Sequence, residues 1–389
     1  MIEQVYREQY GRAVAILTRV VGSIDLAEDA VQEAFAAAAT AWADGPPPSP
    51  VGWIVTTARN RAIDHLRREA ARADKLAQAA LLHAAAGPTE EGPVRDDRLR
   101  LIFTCCHPAL NRPAQVALTL RLLGGLSTAE IARLFLVPEP TMAARVTRAK
   151  AKIRDARIPY RVPADADLPE RLRSVLAVLY LVFTEGWHDR PALAGEAVRL
   201  ARLLRELMPD EPEVAGLLAL MLLTESRRPA RSVEGRLVPL AGQDRSRWDR
   251  ALIQEGQELV RGCVRRGRPG TYQLQAAIAA VHSAAPSVAA TDWAAVLTLY
   301  DQLARHDPGP VVRLHRAVAL AEVAGPAAAL AEVEPLALES YHLFHAVRAD
   351  LLERLGRDAG DAWERAIAGT DDPAERAHLR ARRDARRGT

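Results

Sequence analysis

Apolar residues recur three and four positions apart along nearly the whole chain, and β-branched runs are scarce, so the pattern predicts helices almost throughout. In residues 126–153, Met142, Val146, Ala149 and Ile153 fall on one face of a helix beginning near Glu139. Thr141, Arg145, Arg148 and Lys152 repeat that spacing on another face. Ahead of it, Ser127 or Thr128 can cap a short helix running through Arg133, and residues 136–138 form a break. These are the proportions of a helix-turn-helix. Residues 53–68 predict a helix that buries Ile54, Ala58, Ala62 and Leu66, with Val55 and Ile63 alongside. Its other side carries Trp53, Thr57, Asn60, Arg61, Asp64, Arg67 and Arg68. Residues 25–42 predict an acidic-start helix in which Ala30, Ala34, Ala37 and Ala41 permit close packing and Asp29, Gln32 and Glu33 lie toward solvent. Beyond residue 169 the pattern predicts helices over 171–184, 191–207, 213–223, 248–265, 272–282, 293–304, 311–324, 341–355 and 361–368. Residues 292–368 have the look of two tetratricopeptide-type helix pairs, with Ala317, Ala321, Ala346 and Ala349 at packing positions. Such arrays form concave docking surfaces for peptides or proteins, the alternative being an all-helical structural domain.

Punctuation divides this pattern. Pro- and Gly-rich residues 44–50 read as a stiff loop, residues 84–97 as a flexible linker, and residues 158–169, with three prolines, as a joint that ends one helix before a new region starts. The expected organisation is two small helical domains at 1–75 and 98–158, a linker at 76–97, and a large helical extension at 159–389. Composition agrees: apolar residues make up 49% of the 389 and charged residues 26%, enough to build cores. The net charge of +3 looks uninformative until the chain is cut. The first 160 residues carry 21 basic and 17 acidic side chains, while the remainder is nearly neutral. Residues 141–157 hold Arg145, Arg148, Lys150, Lys152, Arg154 and Arg157 against the single acid Asp155. A helix with one packing face and one cationic face suits a major groove, its first turns reaching base edges and later ones clamping phosphates. Trp53, beside Asn and Arg, suits the edge of a nucleic acid, although packing against the Pro46–Pro48 loop explains it equally well.

Candidate chemistry is sparse. Cys105 and Cys106 are adjacent, which does not match the Cys-x-x-Cys spacing of zinc sites, and with His107 they read as buried helix. Glu185 and His188 have a metal-like spacing with no second pair, and no phosphate loop, nucleophile elbow or His-Glu-x-x-His occurs. The expectation is a protein that is not an enzyme and uses no cofactor or metal. Three cysteines, an odd number, point to a reducing compartment, the cytoplasm. No export signal and no run of about 18 apolar residues is found, so no membrane partner is expected.

Three segments in this order, DLAEDAVQEAF, PSPVGWIVTTARNRAIDHLRR and GGLSTAEIARLFLVPEPTMAARVTRAKAKIR, resemble regions 2.1–2.2, 2.3–2.4 and 4.2 of the extracytoplasmic-function (ECF) sigma factors of bacterial RNA polymerase. The later segments VLAVLYLVFTEGW, RLARLLRELMPDEPEVAGLLALMLL, QDRSRWDRALIQEG and PGTYQLQAAIAAVHSAAP resemble the long C-terminal extension of one ECF subgroup, with its tetratricopeptide-like end. The resemblance implies an all-α fold: sigma region 2, a helix-turn-helix region 4 and a large helical C-terminal domain. It implies core RNA polymerase (β′ clamp and β flap) and promoter DNA as partners, with Asp29, Gln32 and Glu33 on the β′ clamp. Trp53, Thr57, Asn60, Arg61 and Asp64 would face the −10 strand, with residues 44–50 as the base-capturing loop. Thr141, Ala144, Arg145 and Arg148 would read or clamp the −35 element, with Lys152 on phosphate. The extension would be a built-in regulator or a dock for a protein or peptide. The alternative is a stand-alone helix-turn-helix regulator whose helical array senses a ligand or protein.

Overall fold

The structure is a computed structural model that describes residues 2–43, 45–73, 94–135, 137–187, 191–233 and 236–387. It is helical apart from one short hairpin among those residues, and the chain forms two compact units, Met1–Leu207 and Met208–Thr389.

In the first unit, α1 (Ile2–Val21), α2 (Ile24–Ala41) and α3 (Pro50–Ala73) pack on one another. Ser23 starts α2 by accepting a hydrogen bond from the Leu26 amide at 3.3 Å. α4 (Val94–Cys105) begins four residues inside the stretch expected to be linker, and the rest of that linker, 76–93, lies outside the described residues. α5 (Arg112–Leu118), capped by Asn111, runs into a π-helical turn, Thr119–Leu123. The helix-turn-helix follows as α6 (Thr128–Leu134) and α7 (Glu139–Asp155). Of the two expected caps it is Ser127 that acts, in a reciprocal box: its hydroxyl accepts from the Glu130 amide at 3.1 Å, and Glu130 accepts from the Ser127 amide at 2.7 Å. Met142, Val146, Ala149 and Ile153 are buried, as their spacing requires.

α8 (Leu168–Trp187) and α9 (Pro191–Leu207) belong to the first unit as well, so compactness breaks after Leu207 and not at the Pro-rich joint. Gly186 permits their crossing, since a Cβ there would lie 2.3 Å from the Ala194 nitrogen. The joint is tied down: the Tyr160 hydroxyl sits 2.8 Å from the Ala15 carbonyl and 3.0 Å from that of Asp97.

The second unit is built on α10 (Pro212–Glu225), buried on all sides from Val214 to Leu223. The short α11 (Arg228–Arg231) leads into the hairpin β1 (Ser232–Val233) and β2 (Arg236–Leu237), paired antiparallel with Ser232 opposite Leu237. α12 (Arg250–Arg266) and α13 (Thr271–Ala284) pack on α10. Glu213 caps α13 from outside by accepting from the Tyr272 and Gln273 amides, each at 3.1 Å. The remaining helices, α14 (Trp293–His306), α15 (Pro310–Val323), α16 (Pro326–Val333), α17 (His342–Arg354), α18 (Gly360–Ala368) and α19 (Pro373–Arg387), each pack on the next. Arg316 ties three of them by pairing with Asp301 and Glu332.

Candidate nucleic-acid interface

α7 presents the expected polar row. Thr141, Ala144, Arg148 and Lys152 are exposed, while Arg145 is half-buried beside a cavity of about 210 Å³ that it lines with Arg112, Phe135, Met142 and Leu181. Lys150 and Arg154, read in sequence as part of the same basic stripe, turn elsewhere. The Lys150 ammonium lies 2.5 Å from Glu28 and 3.2 Å from Asp25, and Arg154 approaches Asp25 at 3.9 Å.

On α3, Trp53 is half-buried, and its neighbour is aromatic: the rings of Trp53 and Trp42 meet edge to face with centroids 5.4 Å apart. Trp42 forms a wall that the sequence reading, centred on the proline loop, did not include. Thr57 is half-buried and Asn60 exposed. The exposed Arg61 pairs with Glu33 at 3.1 Å, and Asp64 with Arg67 at 3.8 Å. Glu33 and Arg61 therefore join the face assigned to polymerase with the face assigned to DNA. Asp29 is exposed, but Gln32 turns inward and donates to Glu28 at 2.9 Å and to the Tyr10 hydroxyl at 3.4 Å.

The residue that sequence reasoning missed is Glu28. It is 2% exposed, and its carboxylate meets Arg121 of the π-helical turn at 2.5 Å and Lys150 of α7 at 2.5 Å. Burial works against the charge of both cations, yet Glu28 outweighs it and holds each above its ordinary range. Burial, and then Glu28, push the Tyr10 phenol well up, so it stays protonated and donates to the carboxylate at 3.4 Å. A signal was available, because Glu28 lies in the apolar stripe of Ile24, Ala27, Val31 and Phe35. An acid there must be paired. This knot holds α2 against the helix-turn-helix, and the backbones close up beside it: a Cβ on Gly11 of α1 would lie 2.8 Å from the Leu123 carbonyl. Arg19 of α1 adds an ion pair to Asp97 of α4 at 2.9 Å.

The start of the extension grips the same domain through guanidinium-to-carbonyl bonds. Arg171 of α8 donates to Phe103 at 2.6 Å, Arg112 of α5 to Ser174 at 3.1 Å, and Arg199 of α9 to Leu123 at 3.1 Å. The cysteines are buried and form no disulfide, and burial pushes the Cys106 thiol up to about 11. Glu185 is exposed, and His188, its expected companion, lies outside the described residues. No helix among the described residues is long and apolar enough to cross a membrane.

A capped helix-turn-helix with an exposed basic row, in the same unit as a polar helix bearing a half-exposed tryptophan, fits a DNA-binding transcription protein. Known families say which. The chain matches the models of sigma-70 region 2 over residues 5–72 and sigma-70 region 4 over residues 100–153. Residues 171–264 match a family of unknown function, DUF6596. An uncharacterized protein of Rhizobium meliloti (strain 1021) is 43% identical over 393 aligned residues, covering 96% of this chain and 93% of that protein. No solved structure matches. The chain belongs to the sigma-70 family, as an extracytoplasmic-function sigma factor with a C-terminal extension. Its domains give it a role in promoter recognition, with RNA polymerase and promoter DNA as the implied partners, and mark it as a non-enzymatic transcription factor.

Proposed function

We propose that the chain binds core RNA polymerase and directs initiation, with Asp29, Gln32 and Glu33 on the β′ clamp and the helix-turn-helix domain on the β flap. Trp53, Thr57, Asn60, Arg61 and Asp64 engage the −10 element; Thr141, Ala144, Arg145, Arg148 and Lys152 engage the −35 element. The exposed row on α7, backed by four buried apolar residues, is the observation that carries this reading. Two modules held on one polymerase gain apparent affinity through effective concentration, so neither need bind DNA tightly alone. Trapping an unstacked −10 base costs a few kcal/mol that pocket contacts must offset, and the Trp42–Trp53 pair is the aromatic surface on hand.

The extension acts as a built-in regulator. Supporting this, its first helices grip region 4 through Arg171, Ser174 and Arg199, and region 4 is in turn locked to region 2, with Lys150 and Arg154 held by acids of α2. A promoter complex that spreads region 2 from region 4 must first open the Glu28 knot, and apparent affinity is the intrinsic affinity multiplied by the fraction of molecules that are open. The test is run-off transcription with purified core polymerase, comparing the full chain with one ending at Leu207. Ending there, and not at residue 160, preserves the grip of α8 and α9. Holoenzyme formation with a new transcript is expected, and output should change on truncation. Binding to duplex promoter with no holoenzyme would favour the stand-alone regulator, and identical output from both lengths would remove the regulatory role from residues 208–389.

A further inference from the structure

The end of α12 carries a basic surface. Arg261, Arg265, Arg266 and Arg268 fall within eight residues that contain no acid. Arg266 is used by the fold: it donates to the carbonyls of Pro209 at 3.2 Å and Asp210 at 2.5 Å, and it pairs with the Asp210 carboxylate at 3.6 Å. The other three are exposed, and their guanidinium groups have no ion pair or hydrogen bond among the described residues. Arg261 and Arg265 stand one turn apart on the face of α12 opposite the buried Ile253, Gly256 and Cys263. Arg268 follows just past Gly267, whose left-handed backbone (φ 63°) ends the helix. The nearest acid on that face, Glu258, lies a turn earlier and accepts from the Gln254 amide at 3.2 Å.

Val264 stands among these arginines and is 70% exposed, more than any other large apolar side chain among the described residues. A single exposed valine needs no explanation, and cations in a last turn complement the helix dipole. The dipole accounts for Arg265 and Arg266. It does not account for Arg261, more than a turn from the end, or for Arg268, beyond the helix. Three unpaired guanidinium groups around an apolar side chain match the backbone of a nucleic acid, where phosphates alternate with the apolar faces of sugars.

Position along the chain selects the polyanion. Pro209 and Asp210, which Arg266 fastens to the end of α12, follow closely on Leu207, the last residue of the unit that holds both sigma regions. Through that covalent link, DNA bound by the first unit reaches this surface at a raised effective concentration. We propose, on the reading that the chain binds promoter DNA, that the end of α12 is a further contact with the duplex. Arg261, Arg265 and Arg268 take backbone phosphates, and Val264 packs on a sugar between them. Such a contact adds affinity and carries no sequence information of its own.

Fluorescence anisotropy with the full chain bound to core polymerase tests this across a salt series, on a labelled promoter duplex and on a duplex of unrelated sequence. Joint replacement by Arg261→Gln, Arg265→Gln and Arg268→Gln should weaken binding to both duplexes, by about tenfold or more at roughly 0.1 M salt. The slope of log affinity against log salt should fall by about two to three units, close to one for each lost phosphate contact. The triple variant should melt with the parent, because none of the three side chains is bonded within the fold. Val264→Asn should weaken binding severalfold with the slope unchanged. A triple variant with the parent's affinity and slope would overturn the contact and leave the promoter reading standing. A parent that binds neither duplex would instead overturn that reading, and the contact with it. Weakened binding to core polymerase in the absence of DNA, with the DNA slope kept, would give the surface to a protein and overturn the DNA contact.

Discussion

Two charge clusters, one in each unit, are solved in opposite ways. Around Glu28 a single carboxylate receives Arg121, Lys150, Gln32 and Tyr10, so every buried charge has a partner supplied by the chain. The half-buried Arg227 and Arg245 instead have no paired carboxylate among the described residues, and burial together with the neighbouring cations lowers Arg227 to about 10. Desolvating a charge costs several kcal/mol in either place. In the first unit the return is geometric: Glu28 can be satisfied only while α2 lies on the π-helical turn and α7, so the cluster specifies an arrangement of regions 2 and 4. In the second the half-exposed cations repel one another, and solvent supplies the screening.

The sharpest way to break this comparison is to remove the central charge from each cluster. Glu28→Ala should destabilise the first unit by about 3–5 kcal/mol, because it strands two buried cations. Arg227→Gln should be neutral or stabilising, because it relieves repulsion. Chemical denaturation followed separately in chains ending at Leu207 and in the full chain measures both. Equal losses from the two substitutions would mean that Arg227 has an internal partner after all, and the contrast would collapse.

Acid sharpens the comparison by testing the second cluster without mutating an arginine. Burial first, then Arg227 and Arg245, push His282 down from 6.5 to about 4. An unfolded histidine takes up its proton as pH falls through 6.5, whereas the folded one waits until about 4. Between these values the unfolded state binds more protons, so the contribution is complete above the upper value and is lost toward the lower, by up to about 3 kcal/mol. His282→Asn should flatten this part of the stability profile, read as melting temperature against pH. Superimposable profiles for parent and variant would show that His282 is not held neutral by its surroundings.

Much of this was legible in the sequence, and the exceptions have physical causes. α9 matches its expected span, and the helices from α12 to α15 fall within about two residues of theirs, because each carries a strong apolar stripe bounded by caps or turns. α16 is a short run of Ala and Val with little periodic signal, and in α19 Leu379 is the one buried apolar residue among the described side chains, set among alanines and many charges. The exposed members of the α7 row followed from spacing alone. The Glu28 knot did not, because its partners lie far along the chain and only the fold joins them. Lys150 was grouped with Arg148 by composition, yet two residues rotate a side chain by about 200° around a helix, which carries Lys150 to the α2 side.

That rotation supplies the smallest and most selective prediction. Arg148 and Lys150 have the same formal charge and are neighbours in any count of basic residues, but one is exposed and the other is locked to Glu28 and Asp25. If Arg148 contacts a phosphate, Arg148→Ala should weaken promoter binding nearly uniformly across sequences and lower the slope of log affinity against log salt by about one unit. Lys150→Ala should leave that slope unchanged, because the ammonium releases no counterion while Glu28 holds it, and should instead lower stability. The paired measurement is fluorescence anisotropy on a labelled promoter across a salt series, alongside a melting curve for each variant. A salt slope altered equally by both substitutions would mean that DNA binding opens the knot and recruits Lys150 to the phosphates, so the first cluster would be a store of DNA-binding charge, released on the promoter, and not a fixed part of the fold.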